Sequence, residues 1–402
     1  MALIVKKFGG SSVADAKKIQ NVCNVIAKTY DEGNDVVVVL SAQGDTTDDL
    51  IEKAQEINPN ASKREMDMLL STGEQISISL AAMCLEKMGY PAVSLAGWQV
   101  GFQTNSDHSA ARVRKIDGSR IRKELDKRRI VLVAGFQGIN KYGDVTTLGR
   151  GGSDTSAVAL AVALKADLCQ IYTDVDGVYT TDPRLCPNAQ KLDEITYDEM
   201  LELASLGAQV LHNRSVELAK HYGIEMEVLS SFSGNPGTIV KEAVKVEKTY
   251  ISGVAQDKKI ARFAVVGLED APGVAYKLFG LLAKNKINVD IILQSIGRDE
   301  SKDISFTVGE KDAAICEKVL MENKDKLKFQ EIHVSTDVAK VSIVGSGMVN
   351  NAGVAADMFE ALAKAQINIH MISTSEIKIS VLIDKVNSEK ALRAIHDKFF
   401  DI

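Results

Sequence analysis

Cysteine is scarce in this chain of 402 residues, and the few present follow no pattern. Cys23, Cys84, Cys169, Cys186 and Cys316 are odd in number and far apart, with no C-x-x-C pair and no Cys/His cluster. That excludes a zinc ribbon, a dithiol redox motif and a disulfide framework, and leaves buried or incidental thiols of a reducing compartment. The six histidines also lack metal-ligand spacing and read as structural, so no protein metal site is expected. No uninterrupted apolar run approaches the length of a membrane span, and Met1 to Val5 has neither a basic stretch before it nor a cleavage site behind it. The expectation is a cytoplasmic protein with no membrane partner. A net charge of −6 with both signs interspersed offers no basic face, so no nucleic-acid partner is expected either. Any anionic ligand must be gripped locally, and the Walker pattern G-x-x-x-x-G-K-[ST] is missing.

What is present suffices for two or three hydrophobic cores, at 45% hydrophobic and 25% charged residues. The first half alternates β-rich runs with helical patterns. Ala2 to Phe8, Asp35 to Ser41, Pro91 to Ala96, Arg129 to Phe136, Ala166 to Thr173 and Glu225 to Ser230 read as strands. Such alternation predicts a mainly parallel sheet covered by helices, and the unbroken apolar runs Val36 to Leu40 and Ile130 to Ala134 belong at its centre. After Gly237-Thr238 a charged stretch, Lys241 to Lys248, marks the domain boundary, placing the first domain at residues 1–245.

Beyond it lies a repeat. Gly273-Val274-Ala275, Phe279, Leu282-Ala283-Lys284 and Ile287-Asn288 return as Gly353-Val354-Ala355, Phe359, Leu362-Ala363-Lys364 and Ile367-Asn368, always at an offset of 80. Each copy opens with a strand (Arg262 to Gly267; Ala339 to Gly345), turns at glycine into an amphipathic helix and re-enters a strand. With later strands Asp303 to Val308 and Lys378 to Ile383, each copy predicts a β-α-β-β-α-β module, at 250–330 and 331–402.

Chemistry is therefore sought before residue 245. In Lys6-Lys7-Phe8-Gly9-Gly10-Ser11-Ser12 a strand ends, two glycines turn and a helix is expected to start, so freed amides and the Lys7 cation could hold a phosphate. The plain alternative is a structural turn with a solvated lysine. Thr147-Leu148-Gly149-Arg150-Gly151-Gly152-Ser153-Asp154 repeats the device before a helix expected from Thr155 to Leu164, now with a guanidinium suited to a carboxylate. Capping by Ser153 or Asp154 would explain neither Arg150 nor the paired glycines. Two anion-holding helix N-termini at strand ends of one sheet suggest phosphoryl transfer between anionic partners. A third element, Thr173-Asp174-Val175-Asp176-Gly177-Val178-Tyr179-Thr180-Thr181-Asp182-Pro183-Arg184, also follows a strand; it lacks the calcium-loop pattern and suits nucleotide or metal contacts. Ser41, Thr46-Thr47 and Glu74, in Leu-Leu-Ser-Thr-Gly-Glu, complete the candidates.

In order and spacing these segments resemble aspartate kinases of the amino-acid-kinase superfamily, over essentially the whole chain. The resemblance implies a three-layer αβα sandwich kinase domain followed by two ferredoxin-like ACT domains. It implies transfer of the γ-phosphoryl of MgATP to the β-carboxylate of L-aspartate, giving 4-phospho-L-aspartate, the first step toward lysine, threonine and methionine. By the same resemblance Lys7, with Phe8 and the amides of Gly9, Gly10 and Ser11, would hold the phosphoryl group. Asp154 would order Lys7 and the metal-bound phosphates, and Ser41 would lie near them. Arg150 would clamp a substrate carboxylate, Glu74 would meet the ammonium, and Thr47, Gly151, Gly152 and Ser153 would complete substrate binding. Thr173, Asp174, Tyr179, Thr180, Thr181, Asp182, Pro183 and Arg184 would form the nucleotide side. Asp270, Ala275, Asn288, Val289, Asp290 and Gln294 match one effector site, and Ala355, Asn368, Ile369, Ser375 and Glu376 the other. Lysine, threonine or both would be the effectors, in a homodimer or larger oligomer joined through the ACT domains. The chain departs from the family at Gln209, where many members carry lysine. Either Arg184 or Lys191 compensates or the position matters less. It departs again at Ala352, which replaces the proline of Pro272-Gly273.

Overall fold

The computed structural model describes residues 1–206, 210–243, 250–296 and 301–400. The chain divides into two compact units, 1–179 with 190–247 and 180–189 with 248–402.

The core of the first unit is an eight-stranded sheet. Its strands are β1 (Leu3–Phe8), β2 (Asp35–Leu40), β3 (Ala92–Leu95), β4 (Ile130–Ala134), β5 (Leu168–Thr173), β6 (Glu194–Thr196), β7 (Met226–Ser230) and β8 (Thr238–Lys241), in the order β6-β8-β7-β5-β1-β2-β4-β3. All run parallel except β8, antiparallel to β7, and β6, parallel to β8. The runs read as central are central: every residue of Val36 to Leu40 and Ile130 to Ala134 is buried. Alternate residues serve opposite faces. Phe8, Val36, Val38, Leu40 and Leu132 pack with Val22, Ile26, Ile78, Ala81 and Leu85 of helices α1 (Ala16–Asp31) and α3 (Thr72–Lys87). Between these helices lies α2 (Lys63–Leu70), while α4 (Gly152–Leu164) covers β1, β2 and β5 on the other face and packs on α5 (Asn213–Tyr222). By length and composition the helical run Lys63–Lys87 could cross a bilayer, yet half of its apolar window is buried within the protein. A small four-stranded sheet, Val113–Ile116, Phe102–Thr104, Gln137–Ile139 and Val145–Thr147, flanks the main one.

The glycine turn after β1 departs from expectation. Gly10 to Ser12 form a single 3₁₀ turn, and α1 starts only at Ala16, where Asp15 accepts the Lys18 amide at 2.9 Å. The Asp15 carboxylate outcompetes the glycines as cap, so the α1 dipole is not aimed from Gly9-Gly10.

The second unit holds two four-stranded antiparallel sheets. The strands are β9 (Gly253–Asp257), β10 (Ile260–Glu269), β11 (Val289–Ile296), β12 (Ser301–Gly309), β13 (Glu331–Ser335), β14 (Val338–Val344), β15 (Met371–Thr374) and β16 (Lys378–Asp384). One sheet is ordered β11-β12-β10-β13, the other β9-β14-β16-β15. The helices α6 (Val274–Lys284), α7 (Ala313–Glu322), α8 (Val354–Lys364) and α9 (Ser388–Phe400) complete two ferredoxin-like modules. Strand pairing crosses the 330/331 position at which the two modules were expected to meet. Glu331–Ser335 lies beside β10 in the first sheet, and Gly253–Asp257 lies beside β14 in the second. The edge of β14 thus takes its partner from the segment before the first module.

Candidate active site

The sequence candidates converge where β1 and β2 end. A cavity of about 300 Å³ is lined by Lys7, Gly9, Gly10, Ser41, Thr47, Glu74, Arg150, Gly151, Gly152, Ser153 and Asp154. Gly149 of the second glycine motif also lines it, as do Ala42, Gly44 and Phe136, which were not among the candidates. The site lies at the carboxyl ends of β1 and β2, as ligand sites of open α/β sheets do. A larger depression beside α1, lined by Asn24, Lys28, Asp31 and Tyr90, gathers no glycine turn.

Period-two alternation along β1 separates two neighbouring lysines. Lys7 enters the cavity, where its ammonium lies 2.6 Å from Asp154 in the first turn of α4; the two side chains are 12% and 13% exposed. Lys6 points to the opposite face, donates to Gln170 Oε1 at 2.5 Å and Tyr172 at 3.1 Å, and burial lowers its pKa to about 8. The Phe8 side chain is fully buried and stacks on Tyr172 at 4.4 Å, leaving only its backbone for a ligand.

Close approach explains the glycines. A Cβ on Gly10 would lie 2.6 Å from the Ala42 carbonyl oxygen. Gly149 and Gly151 sit at φ +75° and +69°, and a Cβ on Gly151 would meet the His212 ring at 2.2 Å. Gly151, in left-handed conformation, caps α4, so neither Ser153 nor Asp154 serves as the cap and both line the cavity.

Glu74 is the most perturbed acid here. It is 3% exposed, and one carboxylate oxygen accepts the Ala42 amide at 3.3 Å. The other has no partner among the described residues. Burial pushes its pKa up to about 7. A buried carboxylate with a free oxygen calls for a cation, and the cavity supplies none to it.

The nucleotide-side segment does not enter this cavity as a block. Thr173 donates to Asp174 at 3.0 Å, and Tyr179 donates to Asp176 at 2.7 Å. Thr180 to Arg184 belong to the second unit. There Thr180 and Thr181 are buried, and the Thr180 hydroxyl bonds to His396 Nε2 of α9 at 2.9 Å. Pro183 is exposed, and Arg184 pairs with Asp182 at 2.8 Å. Gln209 lies outside the described residues.

Of the effector candidates, Asp270 pairs with Lys302 at 2.5 Å, and Asp290 is engaged by the buried Lys340 of β14. Asn288 and Gln294 are exposed, Ala275 stands at the start of α6, and Val289 opens β11 opposite Val308. In the second module Ala355 and Ile369 pack against the core, while Asn368, Ser375 and Glu376 are exposed.

Comparison with known proteins follows this geometry. The model of the amino acid kinase family matches residues 2–230, and that of the ACT domain matches 263–323 and 341–399. An aspartokinase from Bacillus sp. (strain MGA3) is 52% identical over 400 residues, covering 99% of this chain and 97% of the relative. This chain belongs to the amino acid kinase family, among the aspartokinases. As a member it is an ATP-dependent kinase with C-terminal ACT domains. Its fold also matches crystal structures of E. coli aspartokinase III. The complex with aspartate and ADP, described as R-state, has a TM-score of 0.83 at 26% identity and covers 99% of this chain and 100% of that one. The complex with lysine and aspartate, described as T-state, has a TM-score of 0.78 at 27% identity, covering 99% of each.

Proposed function

We propose that this kinase transfers the γ-phosphoryl group of MgATP to the β-carboxylate of L-aspartate. The observation that carries the reading is one small cavity lined by the Lys7–Asp154 pair, Arg150 and Glu74, one of whose carboxylate oxygens has no partner among the described residues. An acidic amino acid has one ammonium and two carboxylates, and this set answers them: Glu74 for the ammonium, Arg150 for a carboxylate, with Thr47 and Ser153 adding hydrogen bonds. The aspartate bound by the E. coli relative supports the choice of substrate.

The reacting carboxylate is already ionised at neutral pH, so no base is required. One of its oxygens bonds to the γ-phosphorus as the bond to the β,γ-bridging oxygen breaks, and that electron pair leaves on ADP. Lys7 and the glycine amides neutralise the transferring group, and α4 directs its N-terminal dipole at it. Asp154 and Glu74 are the acidic groups among the described residues lining the cavity, and in this reading Asp154, paired with Lys7, would order metal-bound phosphates. A bound magnesium ion supplies charge neutralisation. Ser41, Thr173, Asp174 and Tyr179 form the nucleotide side in this reading. The two ACT modules bind lysine, threonine or both, as the lysine complex of the E. coli relative supports, and the product enters lysine, threonine and methionine synthesis.

The test is ATP-dependent phosphorylation of L-aspartate against L-glutamate, trapping the acyl phosphate as a hydroxamate, with lysine and threonine added singly and together. Turnover of aspartate that falls with effector is expected. Nucleotide binding without turnover would leave an amino-acid sensor and sink the reading.

A further inference from the structure

The most heavily hydrogen-bonded acid in the first unit is not in the cavity. Asp67, on α2, is completely buried and accepts from three distant points. Thr147 donates through its hydroxyl at 2.6 Å and its amide at 3.0 Å. The Ser109 amide donates to both carboxylate oxygens at 3.0 Å, and His108 Nδ1 lies at 2.9 Å. Because the carboxylate only accepts, Nδ1 carries the His108 proton. Burying a carboxylate is costly unless every lone pair is answered, and here donors answer both oxygens. An apolar residue would fill the same volume without that cost. The acid is explained by what it holds.

What it holds leads directly into the cavity. Thr147 ends the strand that runs into Leu148-Gly149-Arg150. Ser109 is kept at φ +69°, unusual for a residue with a side chain, and its carbonyl oxygen sits 2.9 Å from where a Gly149 Cβ would be. The Ala111 amide donates to the Thr147 carbonyl at 2.9 Å, and Arg214 donates to the carbonyls of Leu148 and Ala111 at 2.7 and 3.1 Å. Asp67 meanwhile stands on the same helical run, Lys63–Lys87, that carries Glu74.

We propose that Asp67 is a positioning residue that sets the span between Glu74 and Arg150 by fastening Thr147 and Ser109 to α2, which leads through Ser71 directly into the helix bearing Glu74, so that the cavity selects an acidic amino acid of aspartate's length. This rests on the aspartate reading above. The span between the ammonium and carboxylate contacts is what distinguishes aspartate from its homologue one methylene longer, and pocket fit alone discriminates a methylene by about 10- to 200-fold.

The test measures KM for aspartate, glutamate and ATP in the full chain and in Asp67→Asn, with the same change repeated on an Arg150→Lys background. Expected are a rise of about tenfold or more in aspartate KM, an ATP KM within about twofold, and a reduced preference for aspartate over glutamate. On Arg150→Lys the further loss should shrink below about twofold, because residues acting through one another are not additive. If Asp67→Asn does not fold, Thr147→Val, which removes only the hydroxyl donor, should raise aspartate KM about threefold. Equal rises in both substrate KM values, or full additivity with Arg150→Lys, would overturn the proposal while the aspartate reading stands. An unmodified chain that does not phosphorylate aspartate would overturn both.

Discussion

The cavity has two glycine-rich cradles, and they are held by different means. The turn after β1 hangs from the middle of the main sheet, where Phe8 is in register with Leu40 on one side and Tyr172 on the other. Main-chain pairing places it, and the backbone of Ala42 and Gly44 closes around Gly10. The loop from Thr147 to Asp154 leaves a three-residue strand of the accessory sheet and is held by side chains from far away, Asp67, Arg214 and the His212 ring, and by nearby Ser156 by way of Phe136. The first cradle is therefore sensitive to changes inside it. The second is sensitive to changes that never touch a ligand.

Replacing Lys7 should have the largest effect, since it removes the cation of the first cradle and leaves Asp154 without its 2.6 Å partner. Lys7→Met is expected to lower kcat by about 10³ or more, with the fold retained by circular dichroism. Next comes a paired test of how the cradles are held. Gly10→Ala meets backbone oxygen and should cost about 10² in kcat/KM with no second-site relief. Gly151→Ala meets the His212 ring, so Gly151→Ala with His212→Ala should recover about tenfold of a similar loss, the remainder being strain at φ +69°. Recovery in neither would mean that the second loop is as stiff as the first.

Glu74 gives a pH signature. With its pKa raised from 4.5 to about 7, the folded protein binds more protons than the unfolded chain between those values, so this group's contribution to stability falls as pH rises through that window. Glu74→Gln should raise the melting temperature by a few degrees at pH 8 and by nothing below pH 4.5, while weakening aspartate binding. In the unmodified protein aspartate KM should rise about tenfold from pH 8 to pH 6 as Glu74 takes up a proton, and Glu74→Gln should flatten that profile.

The smallest effect is expected at Lys6, the neighbour on the other face. Its lowered pKa means that the unfolded chain binds more protons between pH 8 and 10.5, so stability gains as pH rises through that range. Lys6→Met should leave kcat within about twofold and remove that gain, measured as melting temperature against pH. A large loss of kcat would contradict the separation of the two faces.

Much of this was legible in the sequence because it depends on local rules. Continuous apolar runs such as Val36 to Leu40 can only be buried on both faces, and glycines beside Lys7 and Arg150 mark where backbone must come close. Phe136 lines the cavity at φ +68°, yet nothing in its neighbourhood beyond the preceding Gly135 hinted at it. The grouping of Thr180 with the second unit was hidden because its partner, His396, is 216 residues away. Gly253–Asp257 looked like part of the first module because it precedes it, and only its pairing with β14 decides otherwise.

The sequence by itself determined the alternating α/β plan, the repeat, the two glycine cradles and the residue types that line the cavity, since these follow from periodicity, backbone freedom and charge. The tertiary structure alone decided which strand completes which sheet, that the first cradle closes on a 3₁₀ turn, and that a buried acid on α2 fastens the loop of Arg150. Those outcomes depend on groups far apart in the chain satisfying one another's hydrogen bonds and edges, and spacing along a sequence carries no record of such distances.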